Sequence, residues 1–581
     1  MRFLKIAILC IFLLSTSVLA LEIVNPSLVD SMSVVVIQHG TLTVGKGVSE
    51  ASLDVYIPQE SKFQTREILE VSTTYNILTD DYGNDFLRLT WANPEEVIDI
   101  EIKTKVNTFR SGRNSVGEEK FFLGPTELVD SDNPDVLSQA EKLILNSKTD
   151  FDKIGELVKW TYEYVDYDLE YQYVNLSASE TLKNRAGVCS EISVLFQALA
   201  RSVGYETRTN IGLVISQYEE PYEFQAHSWS DVKIDNYYIP VDTTWAEAGY
   251  VDATHINLGS FPDSIFKEAF ARVYANRNSG DPIIVLDSKV TILNFTESAF
   301  VESDSFILDN ELWKGSAVIR TEMKTDDCVL LKINSVSCAM DSGSFFDTRN
   351  KKDVVYFCND KNHFSIFDIP NDLKSDTFYT CPVTIYPNLG EQKTLSVNMK
   401  ESFGFDNNVN LGISSYSVVP GEKIILESNG AKIFTSNGDF GSNRLELIAP
   451  KKNFTVYSYN NGNLVSQKIS VINKKPFSIN VVANDSMIKG DNYTVNITLE
   501  NYLEEDQTIK IEIGNYSQSV VLEEETTIEV EVVAETNLIQ VFAEDTDFST
   551  SSSKFINLIE NKNIFDSIID FITNFLSGVL G

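Results

Sequence analysis

The sequence is poor in positive charge. Its 581 residues hold 47 Lys and Arg against 84 Asp and Glu, a formal net charge of −37. Nucleic acid is therefore not an expected partner, because phosphate binding needs clustered Lys and Arg. Plain adhesion to anionic lipid is disfavoured for the same reason. Histidine is scarce, with four residues, so few groups can serve as a base near neutral pH. No Cys-x-x-Cys pair occurs, which argues against a zinc site. The first apolar run is shorter than the ~20 residues of a membrane span. The chain is too long for one core. With 43% hydrophobic and 23% charged residues it is not a disordered acidic tail.

Six cysteines are present: Cys10, Cys189, Cys328, Cys338, Cys358 and Cys381. Cys10 lies in an N-terminal segment with the order of a secretory signal peptide. Arg2 and Lys5 precede the apolar run 6–14, and Val18-Leu19-Ala20 offers a cleavage site. Residues 1–20 are read as that signal, which removes Cys10; an uncleaved anchor is the alternative. The expected location is secreted or cell surface, where disulfides persist. Seven Asn-x-Ser/Thr sequons, at Asn175, Asn294, Asn453, Asn484, Asn492, Asn496 and Asn515, agree with export as a glycoprotein.

Along the chain, 21–115 reads as an antiparallel β-sandwich. The acidic stretch 80–85 lacks the spacing of a helical calcium loop and is read as a hairpin turn. Within 116–282, apolar residues recur every three and four places at Val136, Ala140, Leu143 and Ile144, and again at Ile154, Leu157, Val158 and Thr161. These mark two amphipathic helices. Short alternating runs then predict three β modules at 283–400, 401–473 and 474–548, the last immunoglobulin-like. The remainder, 549–581, is a Ser/Thr-rich linker and an amphipathic helix at 564–580. That helix is expected to contact a partner or a membrane surface, or to pack on its own module. The fold class is multidomain α+β, with a helical catalytic-type domain flanked by β-sandwich modules.

One constellation carries chemistry. Cys189 follows Gly187-Val188 and precedes the helical face Ile192, Leu195, Phe196, Leu199 and Val203. A cysteine at a helix start is favoured as thiolate by the unpaired N–H groups and the dipole. Those N–H groups can also stabilise an oxyanion. A base is offered by His227 in Ala226-His227-Ser228-Trp229, and an orienting acid by Asp242 in Val241-Asp242-Thr243-Thr244-Trp245. A turn at Asp235-Asn236 would pair Ile234 with Tyr237, Val232 with Ile239, and Trp229 with Asp242. His227 and Asp242 then become diagonal neighbours about 7–8 Å apart in backbone. A one-residue slip would part them. Trp229, Trp245 and Tyr238 are the substrate-pocket candidates, the two tryptophans also fitting wall and core positions. Glu191 complements the helix dipole. His39, His255 and His363 are read as structural.

The motifs Gly187-Val188-Cys189, His227-Ser228-Trp229 and Asp242-Thr243-Thr244-Trp245 resemble those of the transglutaminase-like superfamily of papain-like thiol enzymes. Ser228 and Thr243 depart from the family's usual Ala and Pro. The resemblance implies a papain-like core with Cys189 as nucleophile, His227 as general base and acid, and Asp242 as orienting carboxylate. It implies attack on an amide or peptide carbonyl of surface or envelope polypeptides through a thioester. Hydrolysis and acyl transfer share that triad, and no cofactor or metal is required. A cell-surface adhesin or scaffold with a non-catalytic domain of this type is the alternative. The remaining cysteines, Cys328, Cys338, Cys358 and Cys381, are expected to form two disulfides, with three pairings open.

Overall fold

Among the described residues a single 3-10 turn, Pro26–Leu28, leads into strands rich in β-branched residues. The computed structural model describes residues 25–559, apart from 146, 217–222, 266–267, 276–279, 310, 313–314, 337–338, 341–342, 345–346, 349–352, 370–376, 401–408, 473, 504, 537 and 545–548. The signal-peptide reading, Cys338 and the 564–580 helix lie outside those residues.

The N-terminal part is two four-stranded sheets. One orders Ile283–Glu297, Val29–Thr43, Val97–Phe109 and Gln64–Val71; the other orders Ala269–Ala275, Val48–Tyr56, Asp85–Ala92 and Tyr75–Thr79. Their alternating inward residues, Leu42, Leu53, Val55, Leu87, Leu89, Ile100 and Ile102 among them, share one core. The acidic stretch is a hairpin turn. Asp80 Oδ1 accepts the Tyr82 and Asn84 N–H groups at 2.8 Å each, and Gly83 takes a positive φ of 93°.

This sandwich does not end where the sequence pattern suggested. Its outer strands come from 269–297, which the sequence reading divided between the helical domain and the next module. Alternation marks 283–297 as a strand, but alternation alone does not name the partner. The structure pairs it with Val29–Thr43 from Val29↔Glu297 to Thr43↔Ile283. The helical domain is therefore an insertion within the sandwich.

That insertion holds all the α-helix among the described residues: α1 (Pro134–Ile144), α2 (Asp150–Tyr164), α3 (Ala178–Asn184) and α4 (Cys189–Ser202). Asn133, Thr149 and Ser177 cap the first three through their side chains. Elsewhere the regular structure among the described residues is nearly all β, so the α+β expectation holds for this stretch only, and the protein is mostly β. The helices bury Val136, Ala140, Ile154, Leu157, Ile192, Leu195, Phe196 and Leu199 against Val232, Ile234, Ile239 and Val241 of the sheet.

The sheet runs Ile256–Phe261, Thr207–Ile215, Phe224–Ile234, Tyr237–Asp242, Glu247–Ala248 and then Ser316–Val336. Its last pairing, Ala248↔Leu330, makes it continuous with the following β module. Cys328 bonds to Cys358 across the Ser316–Val336 and Asp353–Asp368 strands. Both cysteines pack on the helical core. Cys381 is also disulfide-bonded.

Two further β modules follow. The last has a three-stranded and a four-stranded sheet about one core that includes Phe477, Val495, Ile511 and Val541. The Ser/Thr-rich stretch at 549 is not a linker. Ser549–Phe555 is a strand paired with Leu538–Glu544. Its small side chains let it lie close to the preceding module, where the Ser553 hydroxyl accepts the Ile413 N–H at 2.6 Å and the Ser551 carbonyl accepts the Tyr416 N–H at 3.3 Å.

Candidate active site

Three side chains from separate elements meet at one end of the inserted domain. Cys189 is the first residue of α4, with Val188 at the N-cap. Gly187 leaves room there, since a Cβ at 187 would come within 2.5 Å of the Glu191 Cβ. Glu191 is 2% exposed, and its Oε2 accepts the Val188 N–H at 3.0 Å and the Ser190 hydroxyl at 2.9 Å. It clamps the peptide preceding Cys189, so its role is more definite than dipole complementation.

A polar row fixes α4 against the sheet. Ser193, Gln197 and Arg201 recur at i, i+4 and i+8 and are all buried. The Ser193 hydroxyl donates to the Ser228 carbonyl at 2.9 Å. Gln197 Nε2 donates to Thr209 Oγ1 at 2.8 Å and Ser230 Oγ at 3.0 Å, and Arg201 Nε donates to Thr207 Oγ1 at 2.8 Å. These bonds set the height of Cys189 against the strand that carries His227.

The hairpin has the register that brings His227 and Asp242 together. Ser230 faces Val241, Val232 faces Ile239, and Ile234 faces Tyr237, with Asp235 at a positive φ of 52° in the turn. His227 Nε2–H donates to Asp242 Oδ2 at 2.8 Å. Its other nitrogen, Nδ1, is left for Cys189, whose charge and hydrogen bond both favour the protonated ring. Asp242 Oδ1 accepts the Thr244 N–H at 2.8 Å.

Burial works against charge on these groups, and their partners outweigh it. Desolvation would lower the His227 pKa; the Asp242 and Cys189 charges and hydrogen bonds carry it up to about 9. Desolvation would raise the Asp242 carboxyl; the His227 charge and the hydrogen bonds from His227 and His255 hold it well below the usual carboxylate range. A thiol, an imidazole and a carboxylate in this order can store a thiolate–imidazolium pair and move one proton.

Residues 138–243 match the family model of the transglutaminase-like superfamily. The chain carries a transglutaminase-like domain. No curated protein matches the chain. Among solved structures it is similar to a candidate cysteine protease from Cytophaga hutchinsonii, with 18% identity and a TM-score of 0.35 over 46% of this chain and 93% of that one. It is also similar to fibronectin(III)-like modules of Clostridium thermocellum CbhA, with 10% identity and a TM-score of 0.12 over 26% of this chain and 94% of that one. For E. coli alpha-2-macroglobulin the figures are 8% identity and a TM-score of 0.15, over 91% of this chain and 38% of that one.

The substrate-pocket candidates are placed differently from one another in the transglutaminase-like domain. Trp245 stacks on the His227 ring at 4.3 Å between centroids, and Trp229 lies parallel to it at 6.2 Å. Both tryptophans are 4% exposed, so they wall the imidazole rather than face solvent. Tyr238 shares their face but sits near the turn. Its hydroxyl accepts from Asn114 Nδ2 at 3.1 Å, and the Arg208 guanidinium stacks over its ring at 5.3 Å while pairing with Asp231. Tyr238 therefore belongs to a separate buried cluster.

Two site residues escaped the sequence reading. Tyr167 is 36% exposed, and the burial of the rest of its ring, followed by the nearness of Cys189, raises its hydroxyl pKa to about 12. A two-residue parallel pairing, Asp166 to Ala186 and Tyr167 to Gly187, holds it there; nothing in a two-residue pattern announces that. The second is His255, read as structural from the sequence. Its Nε2 lies 3.2 Å from the Asp242 Oδ2 that also holds His227. His227, Asp242 and His255 could present three ligand atoms to a metal, within 4.8 Å of one another. Here both imidazoles spend Nε2 on one carboxylate oxygen, so the grouping is a hydrogen-bond chain.

Proposed function

We propose that the transglutaminase-like domain is a Cys–His–Asp thiol enzyme acting on amide carbonyls of surface or envelope polypeptides. The observation that carries this is the chain from half-buried Cys189 at a helix start, through buried His227, to buried Asp242. Cys189 Sγ attacks the carbonyl carbon and forms the C–S bond. The oxyanion develops beside the free N–H groups of the first turn of α4. His227 then gives its proton to the amide nitrogen as the C–N bond breaks, leaving a thioester. Water attacking the thioester gives hydrolysis, which we favour; an amine gives acyl transfer. Asp242 holds the His227 ring and stays ionised throughout.

Export is part of the reading. It is supported by the signal-like 1–20 segment, by the Cys328–Cys358 disulfide and by solvent exposure of all seven sequon asparagines.

Labelling tests the proposal. Iodoacetamide should alkylate Cys189 much faster than an ordinary thiol near neutral pH, and His227→Ala should slow it to the ordinary rate. Equal rates in the two proteins would favour the scaffold reading instead. Mass spectrometry of a glutamine peptide incubated with a primary amine then separates cleavage from transfer.

A further inference from the structure

A second imidazole stands behind Asp242, and its protonation follows from its partners. An ionised carboxylate only accepts, so the His255 Nε2 facing Asp242 Oδ2 at 3.2 Å carries a proton. On the other side of the ring, Nδ1 faces the Asp252 carbonyl oxygen at 3.2 Å and Asp252 Oδ1 at 3.3 Å. Both are acceptors, so Nδ1 carries a proton as well. A ring with protons on both nitrogens is an imidazolium. Its side chain is 3% exposed, and water does not compete for these bonds.

The surroundings agree. Burial opposes charge on His255, while the Asp252 charge and the hydrogen bonds to Asp242 and Asp252 raise its pKa to about 10. The Trp229 ring meets it in a T-shaped contact at 5.0 Å between centroids, and the Trp245 ring does so at 5.9 Å. The titratable and charged groups facing this pocket from the packed elements are His227, Asp242, Asp252 and Glu247, with Arg110 and Tyr250 beyond the last two and Lys332 beyond Glu247. Desolvation and the Asp252 charge push Glu247 towards its neutral acid, and the Ser27 hydroxyl lies on its Oε1 at 3.2 Å.

We propose that His255 is a positioning residue for the thiol reaction, a buried cation that shares one oxygen of Asp242 with His227. It gives that oxygen a second donor beside His227, the two rings standing 5.9 Å apart between centroids. It also takes part of the Asp242 charge, so His227 holds its proton less tightly than it would beside Asp242 alone. A general acid that must surrender that proton to a leaving amine gains from the sharing. The inference rests on the thiol-enzyme reading above.

The test is the pH profile of inactivation by iodoacetate, which needs both a thiolate to react and an imidazolium to attract its carboxylate. The alkaline limb of that profile reports loss of the His227 proton. His255→Gln keeps a donor for Asp242 but removes the charge. The limb should move upward by on the order of one pH unit. A folded His255→Gln protein whose limb stays in place or moves down overturns the proposal while the wild-type profile leaves the thiol-enzyme reading standing. A wild-type chain with no rapid reaction removes both. Should His255→Gln fail to fold, 15N NMR of the wild-type histidines decides: His255 protonated on both nitrogens near pH 7.5 is expected, and a neutral ring overturns the inference.

Discussion

Asp242 does more at its position than orient one ring. It is fully buried, accepts three hydrogen bonds and faces two imidazoles. Asn in its place would set an amide against donors it cannot all satisfy and would free the His227 tautomer. Asp242→Asn should lower turnover by on the order of 10³-fold with little change in fold, checked by steady-state rates and circular dichroism. The His227 proton also links stability to pH. Its folded pKa of about 9 stands above the ordinary ~6.5. That stabilisation is full below the ordinary value and is lost as pH rises through about 9. The melting temperatures of the wild type and His227→Ala should therefore converge on the alkaline side, a comparison calorimetry can make. Asp242 has the opposite sign: its contribution is present above the ordinary carboxyl range and lost on acidification.

At the scale of elements, α4 is held by chemistry on both faces. Apolar residues fill the helical core, while Ser193, Gln197 and Arg201 bond to the strands beneath. The Cys328–Cys358 bond lies against the same core from the neighbouring module. Tyr356, two residues before Cys358, packs where a side chain at Gly155 would come within 3.2 Å of its ring, and its hydroxyl donates to Glu156 of α2 at 3.0 Å. Replacing both cysteines by serine should cost roughly 2–4 kcal/mol in a denaturant titration. Cys189 should still alkylate in the folded fraction, because the disulfide touches the core and not the triad.

For the whole molecule, connectivity matters more than the module boundaries. The transglutaminase-like domain leaves the sandwich after Phe109 and returns to it at Ala269. Its sheet then continues through Ala248 into the strand containing Leu330. A fragment cut at 282 would lose Leu330 and Val354 from the helical core and the outer strand Ile283–Glu297 from the sandwich. Limited proteolysis of the native chain should therefore leave a core that retains both 25–297 and 316–400, read by mass spectrometry. A stable product ending near 282 would contradict that continuity.

Much of the site was legible in the sequence because it depends on local rules. Gly187 and the helical face after Cys189 place a thiol at a helix start. The Asp235-Asn236 turn and the apolar alternation beside it fix the register that joins His227 to Asp242. Three of the four helical segments and the turn at 80–85 follow from periodicity and turn residues, while the seven-residue Ala178–Asn184 helix is too short to show a period and escapes the sequence reading. Other features were decided by packing between distant segments. His255 carries no pattern of its own and reaches Asp242 only because the loop at 252–255 folds behind the hairpin. Tyr167 is brought to Cys189 by a two-residue pairing. The strands at 269–297 and 549–555 have ordinary strand or polar composition, and composition does not say which sheet edge a strand will complete. Backbone hydrogen bonding is the same for every partner, so that choice belongs to the tertiary fold.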